Sequence, residues 1–141
     1  MAGFALGPMP GTSVAEAADI IISETDLPAI PQLPDRGLGS DAVGRTASML
    51  EAINIDRGPR SWRMTARPQL LTRRTWDRLE RDLDEVQGVW GETVSHIKVQ
   101  ALGPWSLAAS IELSDGHRVF TDSSAFAELS DALLHLSLIH I

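Results

Sequence analysis

The chain contains no cysteine. A disulfide, a thiolate nucleophile and a thiolate metal ligand are therefore excluded among these residues, and any such chemistry has to come from elsewhere. Basic residues are the minority: 12 Lys and Arg stand against 19 Asp and Glu, a formal net charge of −7. A phosphate-backbone partner calls for a clustered basic face, so nucleic acid is not an expected partner. No stretch of about eighteen consecutive apolar residues is present, and no membrane partner is expected. The Met1 start lacks the basic segment and long apolar core of a secretory signal, which makes the cytoplasm the expected location.

What is present suits a folded domain: 43% of 141 residues are apolar, enough for one globular core. Residues 96–113, HIKVQALGPWSLAASIEL, organise the rest. Ile97, Val99 and Ala101 alternate with Lys98 and Gln100, the period of a buried strand with two different faces. Gly103 permits a turn, and Pro104 suits a first helical position, where a missing N–H loses no hydrogen bond. Trp105, Leu107, Ala108, Ile111 and Glu112 then fit an amphipathic helix. A strand feeding a helix through a tight corner is the half-unit of an α/β protein, whose ligands sit at the carboxyl ends of strands. Gly103 and Pro104 are thus candidate site residues.

The amino-terminal end repeats the pattern. Phe4, Ala5 and Leu6 run into GPMPGT at residues 7–12; Ser13 and Glu16 then have capping-box spacing, with Val14, Ala17, Ala18, Ile21 and Ile22 on one helical face. The turn fits an ordinary β-to-α connection, or a loop whose backbone meets a ligand. Residues 26–39, DLPAIPQLPDRGLG, carry three prolines and no helical period. They predict an extended segment lying along the body through Leu27, Ile30 and Leu33. Ser40 is expected to cap a helix reaching Asn54, with Val43, Ala47, Leu50 and Ile53 inward.

A second strand is expected over residues 61–67, where Trp62, Met64 and Ala66 alternate with Arg63, Thr65 and Arg67. Thr72 opens the most periodic helix, with Trp76, Leu79, Leu83, Val86 and Trp90 as its apolar stripe. The interleaved arginines and acids, Asp82 among them, are expected on a solvated face. SDGH at residues 114–117 is a turn, and His117 has no second ligand at metal spacing. Val119 and Phe120 suggest a brief extended piece, and Asp122 caps a last helix through Phe126, Leu129 and Leu133. LSLIHI at residues 136–141 breaks that pattern. It also matches the translation of a DNA string resembling a transposon-adapter end, so a non-native tail is expected there, against the alternative of a true short terminus.

Three blocks in order, GPMPGTSVAEAA, LPDRGLGSDAVGRTASML and KVQALGPWSLAASIEL, resemble the amino-terminal part of a bacterial cobalamin-independent methionine synthase. More broadly they are similar to the superfamily shared with uroporphyrinogen decarboxylase. The resemblance runs from about Phe4 to about His135. It implies an α/β fold, a (β/α)8 TIM barrel of which residues 1–135 hold only the first few βα units. It implies a methyltransferase of methionine biosynthesis that moves a methyl group from a methyltetrahydrofolate to homocysteine, whose thiolate is held by zinc. The family's zinc ligands have no counterpart here, so this fragment is expected to bind no zinc and to turn over no substrate.

By the same resemblance, Leu6, Gly7 and Pro8 match the family's homocysteine-contacting loop. Pro8 departs from the pattern, offering neither a hydroxyl nor a backbone N–H, and Met9 stands where an aromatic residue is expected. In a barrel with its apolar strand residues facing the helices, Lys98 and Gln100 point inward and Gln100 lies near the catalytic end; alternatively Gln100 only satisfies interior hydrogen bonds. Two other functions stay open. One is a metal-free decarboxylase of the same superfamily, the other a complete, non-catalytic α/β binding module.

Overall fold

The computed structural model describes residues 3–139. Its elements are helix α1 (Val14–Glu24), helix α2 (Ala42–Ser48), strands β1 (Asn54–Arg57) and β2 (Trp62–Thr65), helix α3 (Leu70–Trp90), helix α4 (Pro104–Ser110), strand β3 (Ile111–Glu112) and helix α5 (Ser123–Ile139). The chain is thus mixed α/β. Among the described residues no helix is long and apolar enough to cross a membrane.

Three segments, around residues 4–8, 27–32 and 98, lie side by side in chain order. Phe4 bridges Leu27 and Pro8 bridges Gln32, both in parallel, and Ala29 bridges Lys98, again in parallel. Backbone bonds from Gln32 N to Gly7 O (3.0 Å), Lys98 N to Pro28 O (2.9 Å) and Ile30 N to Lys98 O (3.0 Å) hold the array together. The bridges stay isolated because Pro8, Pro28 and Pro31 offer no N–H to a ladder. The register also slips by one residue between the Phe4 and Pro8 bridges. The continuous strand expected over residues 96–102 is therefore reduced to one bridge at Lys98. Nor is its apolar face buried: Ile97 is 51% and Val99 59% exposed.

The sheet proper is built later in the chain. β1 pairs antiparallel with β2, Ile55 opposite Met64, and β2 pairs in parallel with β3, Trp62 opposite Ile111. Residues expected in helices supply all of β3 and the first residue of β1. α2 ends at Ser48, where Met49 N and Leu50 N turn back to Thr46 O and Ala47 O (both 3.1 Å), and Asn54 begins a strand instead. α4 likewise stops at Ser110. Ile111 is β-branched and favours the pleat, while Glu112, 1% exposed, sits between Arg60 (3.1 Å) and Arg118 (3.7 Å).

α1 forms as its cap predicts: Ser13 Oγ accepts from Glu16 N at 3.2 Å, and Val14, Ala17, Ala18 and Ile21 are buried. α2 is capped by Asp41 rather than Ser40, with Asp41 Oδ2 accepting from Gly44 N at 3.0 Å. α3 runs as expected in length but is rotated about its axis. Its buried stripe is Thr75, Leu79, Asp82, Val86 and Trp90, whereas Trp76 and Leu83 are 40% and 41% exposed. Trp90 Nε1 donates to Ala18 O at 2.8 Å, and Asp82 meets Arg36; these polar partners fix the register. Val119 and Phe120 lie in a 3-10 helix rather than an extended piece. Asp122 Oδ1 accepts from Ser124 N and Ala125 N at 3.0 Å, the expected cap of α5. α5 continues through Ile139, so residues 136–139 do not break the helix; the last two residues of LSLIHI lie outside the described residues.

Two apolar cores result. One gathers Ile21, Ile30, Leu33, Val86 and Trp90 under α1 and α3. The other gathers Ile55, Trp62, Leu107, Ile111 and Leu129 between the sheet, α4 and α5. Each fully buried aliphatic side chain contributes roughly 1.5–3 kcal/mol.

Candidate functional site

The parallel array puts the first turn beside the segment at Gln100. Gly7 has φ +121°, a conformation that only glycine adopts without strain. A Cβ there would stand 1.9 Å from Gln100 Nε2, so the amide lies directly on the loop. Gln100 Nε2 donates to Ile30 O at 2.8 Å, while its Oε1 is buried with no partner. Lys98 reaches the same turn: its Nζ donates to Ala5 O at 2.8 Å and Leu6 O at 3.3 Å and stands 4.8 Å from the Phe4 ring centroid.

Of the six residues singled out in the sequence, Leu6, Gly7 and Gln100 are thus brought together. Leu6 is 80% exposed; Pro8 flanks them, bridged to Gln32. Gly103 and Pro104 occupy the start of α4 and share no hydrogen bond with that trio among the described residues. The preceding Leu102 N instead donates to Thr46 Oγ1 of α2 at 3.1 Å. Chemically, the strip at Leu6, Lys98 and Gln100 offers one ammonium and one free amide acceptor. The ammonium is engaged by Ala5 O and Leu6 O and the acceptor is buried, so a ligand would have to displace the turn to reach both.

Lys98 went unassigned in the sequence although the alternation that marks Gln100 marks it equally. The Arg36–Asp82 pair contradicts the solvated face expected for Asp82; its three-and-four spacing with Leu79 and Val86 is a local signal of burial, but nothing local points to Arg36. Buried Arg45, between Gly44 and Thr46, carries no such signal. A groove of about 540 Å³ lies apart from all six residues, lined by Glu51, Ile53, Glu128, Asp131 and His135.

Among the described residues no group of three or more His, Cys, Asp or Glu is placed to hold a metal ion. His96 is engaged with Ser95 Oγ through Nδ1 at 2.9 Å. The residues present do not fit the zinc that the resemblance implies, and no chemical step is derived through it.

The packing of Gly7 on Gln100 has a measurable consequence. Gly7→Ala is expected to lower stability by about 1–3 kcal/mol, from backbone strain plus displacement of the amide from Ile30 O. Gly11 also has positive φ, +89°, but nothing lies within 4 Å of its added Cβ. Gly11→Ala therefore isolates the strain alone and should be the milder change in urea unfolding. Equal losses would mean that Gln100 does not pack on Gly7.

Comparison with protein-family models, with curated proteins and with solved structures finds no match to this chain.

Proposed function

We propose that the chain is the amino-terminal part of a TIM-barrel methyltransferase of the cobalamin-independent methionine-synthase type, transferring a methyl group from a methyltetrahydrofolate to homocysteine. The observation that carries it is the joining of Leu6, Gly7, Lys98 and Gln100 on one strip. An α-amino acid presents a carboxylate and an ammonium a short distance apart. The strip holds their complements, the Lys98 ammonium and the buried, unpartnered Gln100 Oε1, which a shift of the Leu6–Pro8 turn would open to the substrate. Three segments in parallel chain order, with α1 and α3 in the connections between them, support the barrel as the scaffold. The zinc of this reading would be held by residues of the longer protein, since no group of three or more His, Cys, Asp or Glu among the described residues is placed to hold a metal ion.

The test is methionine formation by the protein translated from the extended natural reading frame, with homocysteine, methyltetrahydrofolate and zinc supplied. Gln100→Ala is expected to raise KM for homocysteine about tenfold to a hundredfold, the loss of one hydrogen bond to a charged group. The 141-residue chain itself should show no turnover and no stoichiometric zinc in titration. Porphyrinogen decarboxylation without zinc-dependent methyl transfer would overturn this reading in favour of the decarboxylase.

A further inference from the structure

A second polar cluster lies away from the strip, where α3 meets the segment entering α2. Arg45 is 8% exposed, yet its guanidinium makes one hydrogen bond, from Nη1 to Pro31 O at 2.8 Å. Its Nε is buried without a partner, and so is Nε of Arg36. The buried carboxylate nearby, Asp82, is already held by both terminal nitrogens of Arg36. Arg78 adds a third guanidinium, donating from Nη1 to Ser40 Oγ at 2.9 Å. Burial pushes the Arg45 guanidinium below its ordinary value, Asp82 opposing this and Arg36 adding to it. The buried charges do not balance: Arg36 and Arg45 share the one carboxylate of Asp82, which Arg36 holds in both hydrogen bonds, with Glu85 acting on Arg36 from a distance.

A void of about 10 Å³ sits at this place, bounded by Arg36, Ser40, Arg45, Thr75 and Asp82 with Leu79. That is room for one small occupant. Buried charges in proteins are paired, because an unpaired one forfeits its hydration. Among the residues that line the void, Arg36 Nε and Arg45 Nε are unpartnered donors, and the Ser40 hydroxyl, whose oxygen accepts from Arg78, still has a proton to donate. Thr75 Oγ1 is committed to Leu71 O at 2.9 Å.

We infer that this void binds one monatomic anion, a halide such as chloride, held by Arg36, Arg45 and Ser40 and serving as the missing counter-charge of Arg45. The charge of Asp82 is neutralised by the bidentate bond from Arg36, which leaves Arg45 uncompensated, and the small volume favours a single atom over an oxyanion. The site is independent of the methyl-transfer strip and would exist whatever the chain's reaction.

The probe is bromide. Crystals of the chain grown or soaked in sodium bromide should show an anomalous peak between Arg36 and Arg45; a solvent peak without anomalous signal would mean a water and would overturn the proposal. In solution, thermal unfolding at fixed ionic strength should give a Tm about 2–4 °C higher in chloride than in gluconate. Ser40→Ala should reduce that difference, and Arg45→Met should abolish it. Identical Tm values for the wild-type chain in the two salts would overturn the proposal, even if Arg45→Met fails to fold.

Discussion

Asp82→Ala should lower the stability of the chain by about 3–5 kcal/mol, the range found when one partner of a buried ion pair is removed. Asp82 is on α3, and Arg36 ends the short 3-10 helix Pro34–Arg36. Arg36 Nη1 reaches Asp82 Oδ1 at 2.9 Å and its other terminal nitrogen reaches Oδ2, a bidentate pair with side chains only 20% and 10% exposed. Without the carboxylate, Arg36 stays half-enclosed and uncompensated, and Arg45 loses the Asp82 charge that opposes the effect of its burial. The loss should exceed that of Asp77→Ala, an exposed acid of the same helix, which is expected within about 0.5 kcal/mol of the parent. Urea midpoints with an unchanged slope are the measurement. A loss for Asp82→Ala no larger than for Asp77→Ala would reduce the pair to an ordinary surface contact. Asp82→Asn keeps the shape and one acceptor while removing the charge, so its loss should fall between the two.

That ion pair also marks where sequence periodicity stops being decisive. The stripe through Leu79, Val86 and Trp90 fixes most of the α3 face, but two rotations of the helix include those residues. One adds Trp76 and Leu83; the other adds Thr75 and Asp82. Apolar content favours the first, and the structure takes the second. The difference lies in partners far along the chain: Arg36 for Asp82, and Gly39, whose missing Cβ leaves room for Thr75. Local signals fared better where the contact is local. Ser13 and Asp122 cap α1 and α5 as their spacing predicts, and the glycine of SDGH takes positive φ in its turn, +87°. The extended run through Ile30 and Leu33 is buried along the body as its apolar residues suggest.

Non-local pairing accounts for the misses. Leu50 and Ile53 are buried as expected, yet their period says nothing of whether they reach the core from a helix or from a connection into a strand. β1 exists because β2 lies opposite it, and β3 because Trp62 offers an edge to Ile111. The candidate strip shows the same division. Gly7 and Gln100 were each visible as residue types out of the ordinary. Their contact depends on the parallel register of three separate segments, and on a glycine conformation that the sequence permits but does not require.

The docking of α2 on the sheet includes a contact that a double-substitution cycle should expose. Trp62 is 5% exposed in β2, and its Nε1 donates to Asp41 Oδ2 at 2.8 Å, the same oxygen that caps α2 through Gly44 N. Trp62→Ala should therefore cost about 3–5 kcal/mol, the usual range for deleting a buried aromatic. Gly44 is glycine because the indole occupies the space its side chain would need: an added Cβ would meet Trp62 Cζ2 at 2.5 Å. A rigid ring in a packed core cannot give way as a flexible chain end can, so Gly44→Ala alone should cost about 1–3 kcal/mol by overpacking. In the Trp62→Ala background the obstacle is gone, and alanine is the better helix former by about 0.8–1.0 kcal/mol. Gly44→Ala should there become neutral or stabilising, a reversal of sign that additive sites do not show. Denaturant unfolding of the parent, both single variants and the double variant measures it; losses that simply add would mean that helix and sheet are held together elsewhere.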